Sequence, residues 1–357
     1  MQKSDGMTYA PRGRAKPVVG AGEFQIAAFA LDHGHIFGMC NGLTEAGAEV
    51  KWVYDPDPDK VAKFRSAFPQ ARAARSKDEV LQDADVRLVA AAAVPNLRGP
   101  LGCEVMAHGK DYFTDKTPMT TLEQLEQARA QVTATGQKFA VYYSERLHSE
   151  CSMYAGDLIE GGAIGRVLQV IGMGPHRLSK ESRPPWFFVM EQYGGILCDI
   201  GSHQIEQFLH FSGAKDASVS YSRVANYNNP DYPELEDFGD AALVADNGAT
   251  NYFRVDWFTP DGLGAWGDGR TFIVGTDGYM ELRKYLSVAH DSESDQIFLV
   301  DGKAERHIRT RNTVGFPFFG RLVLDCIERT EKAMSQEHTF KAAELCLIAQ
   351  RDAQRVA

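Results

Sequence analysis

The stretch Phe24–Tyr54, FQIAAFALDHGHIFGMCNGLTEAGAEVKWVY, decides the fold at the start of the chain. Its opening run, Phe24–Ala30, is short and apolar, which is typical of a strand buried on both faces. His35–Ala46 has the apolar spacing of a helix, and Glu49–Tyr54 again favours a strand. The stretch therefore predicts a strand, a helix and a second strand, which together make one βαβ unit.

The same alternation continues outward from this unit. The sequence predicts helices at Pro58–Phe68, Leu101–His108 and Leu122–Thr135, and strands at Val86–Ala93, Asp111–Thr114 and Lys138–Tyr143. Strands that alternate with helices indicate a doubly wound parallel sheet, which we assign to residues 23–145. Residues 1–22 are rich in Gly, Pro and basic side chains and lack the apolar segment of a secretory signal, so we interpret them as a flexible leader.

The second half changes character, because helices become rare after the helix predicted at Ser149–Glu160. Strands are predicted at Arg166–Met173, Ala217–Asn226, Asp240–Asp246, Thr250–Trp257 and Arg270–Gly275, and a helical pair at Phe318–Ala333 and Thr339–Val356. The turn Asp246-Asn247-Gly248 favours a hairpin. We therefore expect an α/β protein whose residues 146–357 form a second α/β domain with a large, open, mainly antiparallel sheet and closing helices.

Bulk properties exclude several classes of protein. A formal net charge of -10 disfavours nucleic acid and anionic membrane surfaces as partners. The six cysteines form no CxxC pair, so we expect neither disulfides nor a metal site, and a reducing cytoplasm. No apolar run approaches the roughly 20 residues that span a membrane. An open sheet with one uncovered face predicts a homodimer or homotetramer.

A dinucleotide fold needs a tight glycine turn after its first strand, so that backbone amides meet the pyrophosphate. Here the turn is Ala30–His35, in which Ala30, Asp32 and His35 occupy the three glycine positions of GxGxxG. Asp32 has an alternative role as the cap of the following helix. Asp55 ends the second strand, where a carboxylate binds ribose hydroxyls and favours NAD over NADP, although it is also a common turn residue.

Two later motifs carry the chemistry. The first is Asp115-Lys116-Thr117-Pro118, and the second is Gly194-Gly195-Ile196-Leu197-Cys198-Asp199-Ile200-Gly201-Ser202-His203. They resemble the EKP-like and GGxxxDxGxH motifs of the glucose-fructose oxidoreductase and inositol dehydrogenase (Gfo/Idh/MocA) family. The resemblance runs from about Phe24 to the closing helix and includes Pro95-Asn96 and Arg183–Trp186. It departs from the family in the glycine turn, in Asp115 for Glu, and in the threonine before Pro118.

The resemblance implies an N-terminal Rossmann domain and an NAD-dependent oxidoreductase that acts on a secondary hydroxyl of a sugar, cyclitol or polyol. Lys116, Asp199 and His203 would be the catalytic residues: the ammonium holds the substrate oxygen, and the imidazole takes the hydroxyl proton. Because Asp199 and His203 are four residues apart, one helix would place them on one face. The alternative is a helix cap at Asp199 and a packed histidine at His203.

Further contacts are expected around this group. The residues expected to bind NAD are Leu31, Asp32, His33, His35, Ile36, Asp55, Pro95, Asn96, Asp115 and Lys116. The residues expected to bind substrate, beside Asp199 and His203, are Arg146, His176 and Trp186. Pro95-Asn96 could instead be a generic turn, Arg146 an interdomain ion pair, and His176 and Trp186 loop residues without ligand contact.

Two other functions stay open at this point. Some members of the family keep NAD bound and oxidise transiently to allow elimination or glycoside cleavage. The family also includes a non-catalytic, dinucleotide-sensing regulator; the altered glycine turn favours that alternative, whereas the intact pair of Asp199 and His203 argues against it.

Overall fold

The structure is a computed structural model that describes Gly6, Met7 and residues 9–13 and 16–356. It divides into two compact units. The first unit is formed mainly by Met7–Tyr142 together with Phe316–Phe340. The second contains Tyr143–Gly315 and residues 341–356.

The first unit alternates strands and helices, as the sequence predicts. Its elements are β1 Gln25–Phe29, α1 His35–Glu45, β2 Glu49–Tyr54, α2 Pro58–Ala67, β3 Arg72–Ala73, α3 Lys77–Leu81, β4 Val86–Ala91, α4 Pro95–Ala107, β5 Asp111–Asp115, α5 Leu122–Thr135 and β6 Phe139–Tyr142. Within the described residues these six strands form one sheet in the order β3-β2-β1-β4-β5-β6, with every pair parallel.

The centre of this sheet is apolar on both faces, since Ile26, Ala27 and Ala28 of β1 have no exposed surface. The strand order reverses between β1 and β4, and ligands of doubly wound sheets bind at the carboxyl ends of the strands at this reversal. The order confirms the Rossmann fold.

The second unit is built around a larger sheet. Its elements are α6 Ser144–Leu147, α7 Glu150–Glu160, β7 Val167–Pro175, α8 Met190–Tyr193, α9 Ile196–Asp199, α10 Gly201–Ser212, β8 Ala217–Ala225, β9 Phe238–Ala245, β10 Thr250–Asp256, β11 Arg270–Gly275, β12 Gly278–Arg283, β13 Gln296–Asp301, β14 Glu305–Arg309 and β15 Gln354–Arg355. In chain order, α11 Pro317–Glu328 and α12 Gln336–Arg351 lie between β14 and β15, although α11 groups with the first unit. Nine strands of the described chain form a sheet in the order β14-β13-β12-β11-β7-β10-β9-β8-β15.

Most pairs in this sheet are antiparallel, while β7 pairs with β10 and β8 with β15 in parallel. Helices α9 and α10 pack on β7, β9 and β10, and α7 packs on β12 and β13. Along β10, Asn251, Phe253 and Val255 are buried, whereas Tyr252 and Arg254 are only half-buried. The sheet therefore has one helix-covered face, and the expected open, mainly antiparallel sheet is confirmed.

Several details of the sequence prediction need correction. Helix α4 begins at Pro95 rather than Leu101, because Pro suits the first position of a helix and Pro100 is accommodated inside it. The helix expected to reach Ala333 ends at Glu328, where Arg329 adopts a left-handed conformation. The segment Phe316–Phe340, assigned from sequence to the second domain, groups with the first unit.

The leader also differs from the expectation over part of its length. Met1–Asp5, Thr8, Arg14 and Ala15 lie outside the described residues, so the interpretation is not tested there. The amide of Val18 donates to the carbonyl of Ala46 at 2.9 Å, and that of Gly22 donates to the Glu49 carboxylate at 2.9 Å. The end of the presumed leader is therefore hydrogen-bonded to the C-cap of α1 and to the start of β2.

Within the described part of the chain, no helix combines the length and apolarity needed to cross a membrane.

Candidate active site

The turn after β1 is close to a dinucleotide turn despite its missing glycines. Ala30, at the first glycine position, has φ 49°, the left-handed conformation that glycine adopts without strain. The amide of the next residue, Leu31, donates to Oδ2 of Asp55 at 2.7 Å. The backbone thus follows a glycine-type path although the side chain at its start is alanine.

Asp32 raises the question of how a phosphate could lie beside a carboxylate. Its Oδ1 accepts a hydrogen bond from Nζ of Lys60 on α2 at 2.6 Å, so an ammonium neutralises its charge. The cap of α1 is Gly34, without a side-chain cap hydrogen bond. The alternative role of Asp32 as the cap of this helix is therefore wrong.

Asp55 directly follows β2 and is 7% exposed. Besides the Leu31 amide on Oδ2, its Oδ1 accepts the amide of Asp57 at 2.9 Å, so it also has the turn role considered from the sequence. A carboxylate offers about four acceptor positions, which leaves one on each oxygen for a hydroxyl. Its turn role and ribose binding are thus compatible.

Pro95 and Asn96 follow β4 across the strand-order reversal from β1. They open α4, so they are the first turn of a helix rather than a generic turn. Among the described residues, the buried Oδ1 of Asn96 has no hydrogen-bond partner. An orphaned acceptor at the carboxyl edge of the sheet fits a ligand that donates there.

His33 and His35 meet Asp115 at the end of β5, in what we call the Asp115 cluster together with Arg98. Nδ1 of His35 lies 2.9 Å from Oδ1 of Asp115, and Nδ1 of His33 lies 3.4 Å from Oδ2. Nη2 of Arg98 is 3.2 Å from Oδ2. All four side chains are buried.

Two groups in the Asp115 cluster, Asp115 and His33, have lowered pKa values, for different reasons. Burial alone would raise the pKa of Asp115, but His35 and Arg98 outweigh it and hold that pKa well below its usual range. Burial lowers the pKa of His33 well below its usual range, and the neighbouring His35 adds to this. The cluster therefore holds an ionised Asp115 and favours a neutral His33.

The spacing of His33, His35 and Asp115 would also suit a metal ion, since one ligand atom of each lies within 4.8 Å of the others. Two contacts oppose this. Nδ1 of His33 accepts the backbone amide of His35 at 3.2 Å, and the Arg98 guanidinium already pairs with Asp115. A cation would compete with both, so we interpret the cluster as a hydrogen-bonded network.

Lys116 follows Asp115 and is 6% exposed. Its amide donates to Oδ1 of Asp115 at 2.8 Å, and Nη1 of Arg98 donates to the carbonyl oxygens of Lys116 and Thr117. Nε of Arg98 donates to the carbonyl of Ala93 at 2.7 Å. The peptide between Lys116 and Thr117 is cis. Arg98 thus fixes the backbone of the lysine motif, a role that no spacing in the sequence signals.

The second motif folds around a pair of glycines in the second unit. Gly194 and Gly195 have φ 84° and 87°, and a Cβ on Gly195 would lie 2.1 Å from the Gln350 side chain. The Ile196 amide donates to Glu236 at 2.9 Å, and the Leu197 amide to Gln350 at 3.0 Å. These contacts fix the start of α9, the helix that ends at Asp199.

Asp199 and His203 do not share one helix as expected. Asp199 is the last residue of α9, Ile200 separates the helices, and His203 lies in the first turn of α10. The cap of α10 is Ile200, so the alternative role of Asp199 as its cap is also wrong. Asp199 is half-buried and His203 is 2% exposed.

The expected substrate residues have different surroundings. Arg146 is 4% exposed, and its Nε donates to both carboxylate oxygens of Glu206 at 2.8 and 2.9 Å. This ion pair lies within the second unit rather than between domains. Trp186 is half-buried in a short 3-10 helix, with its ring centroid 5.9 Å from that of Phe187.

His176 follows β7 and lies in an aromatic and charged setting. Its ring centroid is 4.5 Å from that of Trp266 and 5.4 Å from that of Trp257. Nε2 of His176 is 3.9 Å from Oε1 of Glu145, a buried carboxylate that the sequence analysis did not single out. Next to His176, Arg177 borders a cleft of about 530 Å³ lined also by Lys180, Asn228, Trp257 and Asp261.

Fold and motifs define a two-unit protein with a dinucleotide-type Rossmann unit and a large open sheet, and comparison with known families agrees. Residues 17–143 match the oxidoreductase family with an NAD-binding Rossmann fold, and residues 153–281 match the GFO/IDH/MocA C-terminal domain. The chain belongs to the Gfo/Idh/MocA oxidoreductase family, as the motifs indicated.

Individual relatives span a range of similarity. A putative oxidoreductase from Erwinia carotovora atroseptica is 50% identical, with a TM-score of 0.91 over 94% of this chain and all (100%) of that one. The scyllo-inositol 2-dehydrogenase (NAD(+)) of Bacillus subtilis is 24% identical over 65% of each chain. A 3-ketoreductase from Actinomadura kijaniata, solved with NADP, shares the fold at 14% identity, with a TM-score of 0.72 over 93% of this chain and 98% of that one. Matches to curated relatives span 41% to 65% of those proteins' lengths.

Proposed function

We propose that this chain is an NAD(P)-dependent dehydrogenase that moves hydride between a secondary hydroxyl of a sugar, cyclitol or polyol and the nicotinamide, with NAD preferred. The observation that carries the proposal is the joint occurrence of Lys116 directly after β5 and of Asp199 and His203 after the glycine pair, in a chain that matches both domains of the family.

The residues at the carboxyl edge of the first sheet fit a dinucleotide. The turn Ala30–His35 and the start of α1 would hold the pyrophosphate, since Lys60 neutralises Asp32. Asp55 would accept the ribose hydroxyls, and its negative charge would repel a 2'-phosphate, which supports NAD. Asn96 would supply its unused acceptor on the nicotinamide side. When bound, the nicotinamide supplies the hydride acceptor.

The protein's own groups would then manage charge and the proton. Oxidation of a carbinol breaks its C–H and O–H bonds, so a hydride and a proton leave together. The ammonium of Lys116 would hold the substrate oxygen and stabilise its developing negative charge. The imidazole of His203 would take the hydroxyl proton, and Asp199 would bind a neighbouring hydroxyl or orient the imidazole.

Replacing Lys116 with alanine tests the proposal. We expect turnover with the wild type's best polyol to fall at least about 10²-fold, because an oxyanion-stabilising group is lost. Calorimetric NADH binding should persist. Lys77→Ala is the control, since Lys77 pairs with Glu104 elsewhere on the first unit. Absorbance at 340 nm across a polyol panel, with NAD and with NADP, measures the rates.

Full turnover in Lys116→Ala would refute the mechanism, and a preference for NADP would refute the role of Asp55. Product formed with substoichiometric NAD and no net NADH would instead indicate transient oxidation. Cofactor binding without turnover on any polyol would indicate a regulator.

We also propose that the chain forms a homodimer or homotetramer through the open face of the second sheet. Phe272, Ile171 and Tyr252 are partly exposed and lie side by side in register on β11, β7 and β10. A row of this kind favours burial against a partner subunit. A stable monomer in light scattering would overturn this proposal.

A further inference from the structure

A buried ion pair in the second unit involves two residues that have no role in the proposed function so far. Glu145 is 2% exposed and Lys284 is 0% exposed, and Nζ of Lys284 donates to Oε2 of Glu145 at 2.8 Å. Nε2 of Gln204, next to His203 on α10, donates to the same oxygen at 2.9 Å. Gly172 on β7 allows this approach, because a Cβ there would lie 2.2 Å from the Gln204 side chain.

The two oxygens of Glu145 differ. Oε2 receives both donors, whereas Oε1 accepts no hydrogen bond from any residue that the structure describes. The Nε2 atom of His176 lies 3.9 Å from Oε1. Nδ1 of His176 is 3.1 Å from the carbonyl of Gly174, which requires a proton on Nδ1, so Nε2 is the nitrogen that can gain or lose a proton facing Glu145.

Charge around Glu145 comes from three directions. Lys284 follows β12, His176 follows β7 and His203 lies on α10. Burial alone would raise the pKa of Glu145, but Lys284, His203 and His176 outweigh it and lower that pKa to about 2. The carboxylate therefore stays ionised throughout the range in which imidazoles titrate.

A purely structural ion pair would be expected to have its hydrogen bonds completed, since a buried carboxylate oxygen without a donor is costly. Here the donors Lys284 and Gln204 both bond to Oε2 and favour the ionised carboxylate. Oε1, which lies on the side of His176, is left without a donor among the described residues. A fixed negative charge next to an imidazole stabilises its protonated form.

We propose that Glu145 is a positioning residue that acts through His176 and His203, as the anion that stabilises these imidazoles when they carry a proton. Lys284 keeps that anion charged inside the protein. The link to catalysis rests on the proposed function, because it assumes that His203 takes the substrate proton. The electrostatic coupling itself is a property of the resting protein.

Histidine NMR on the resting protein tests the coupling without any turnover. Protein labelled with [¹³Cε1]histidine is titrated from pH 5 to 9, and the His176→Asn and His203→Asn variants assign the two signals. In Glu145→Gln we expect the His176 midpoint to fall by about one pH unit, and the His203 midpoint to fall as well. Asp240→Asn is the matched control, since Asp240 is equally buried and pairs with Arg223.

Unchanged His176 and His203 midpoints in Glu145→Gln, or equal shifts in Asp240→Asn, would overturn the proposal. If Glu145→Gln does not fold, the double variant Glu145→Gln/Lys284→Met removes both charges and should still lower the His176 midpoint. If the protein is a dehydrogenase, the acid limb of kcat/KM in Glu145→Gln should move to lower pH together with the His203 midpoint. An NMR shift without any dehydrogenase activity would contradict the proposed function and leave the coupling intact.

Discussion

The two units each bury a carboxylate against a cation, but they complete its contacts differently. In the first unit both oxygens of Asp115 have nitrogen donors, His35 and the Lys116 amide on Oδ1 and Arg98 on Oδ2. In the second unit Glu145 concentrates its donors on one oxygen and leaves the other beside His176.

The cations that pair with these two carboxylates, Arg98 and Lys284, also differ in the number of their contacts. Arg98 combines its ion pair with hydrogen bonds to three backbone carbonyls, those of Ala93, Lys116 and Thr117, whereas among the described residues Nζ of Lys284 donates to Glu145 alone. A planar guanidinium can fix several acceptors at once, and an ammonium acts as a point charge. The comparison indicates that the Asp115 cluster fixes backbone, while the Glu145 pair mainly supplies an electric field.

The largest effect that separates the two clusters should come from removing each cation. Arg98→Met leaves the buried Asp115 without its guanidinium partner and leaves three carbonyls without their donor, so we expect a loss of about 3–5 kcal/mol in the free energy of unfolding. Lys284→Met should cost less, because no backbone contact is lost. Urea unfolding measures both, and Arg75→Met, on an exposed side chain, should change nothing measurable. A larger loss in Lys284→Met would invert the comparison.

A smaller effect concerns pH. Because the pKa of His33 is lowered on folding, the unfolded chain binds a proton below about pH 6.5 that the folded chain does not. His33 therefore makes stability fall as pH drops from about 6.5, by at most about 1.4 kcal/mol per pH unit.

The variant His33→Asn keeps an acceptor for the His35 amide and removes the titration. It should therefore flatten this slope between pH 6.5 and 5 in urea unfolding, whereas replacing the exposed His290 with Asn should not. Equal slopes in wild type and His33→Asn would show that His33 contributes nothing.

The smallest effect concerns the left-handed backbone conformation, which occurs at Ala30 in the first unit and at Gly213 in the second. Ala30→Gly relieves a left-handed alanine at φ 49°, and we expect a gain of about 0.5–1 kcal/mol. Gly213→Ala introduces the same strain at φ 68°, where space is available, and should lose a similar amount. Thermal unfolding of both variants checks the pair, and changes of the same sign would contradict the explanation.

Sequence patterns predicted most of the architecture because apolar periodicity is local. The helix Leu122–Thr135 and the strands Glu49–Tyr54 and Arg270–Gly275 have the predicted bounds. Short elements such as β3 and α3 were missed, since two to five residues carry too little periodicity. The break at Ile200 was missed as well, because helical spacing alone does not distinguish one helix from two in sequence.

The candidate site was predictable only where a motif names its residues. Asp55 and Lys116 follow strands in the sequence and were found in this way. Arg98 and Glu145 were not, because their partners lie far along the chain: Arg98 contacts Asp115, and Glu145 contacts Lys284. The Asp32–Lys60 pair likewise joins two helix starts that no motif connects.

The segment Phe316–Phe340 belongs to the first unit although it follows the second in sequence, and this affects folding during translation. Phe318 and Phe319 of α11 contact Phe113 of β5, and a Cβ on Gly42 of α1 would overlap Phe319. When translation has reached only Tyr142, the six parallel strands and α1 to α5 have therefore been made, but α11, which packs against β5 and α1, has not. The core of the first unit is therefore complete only after the second unit has been translated. A fragment that ends at Tyr142 would expose the apolar surface that α11 covers.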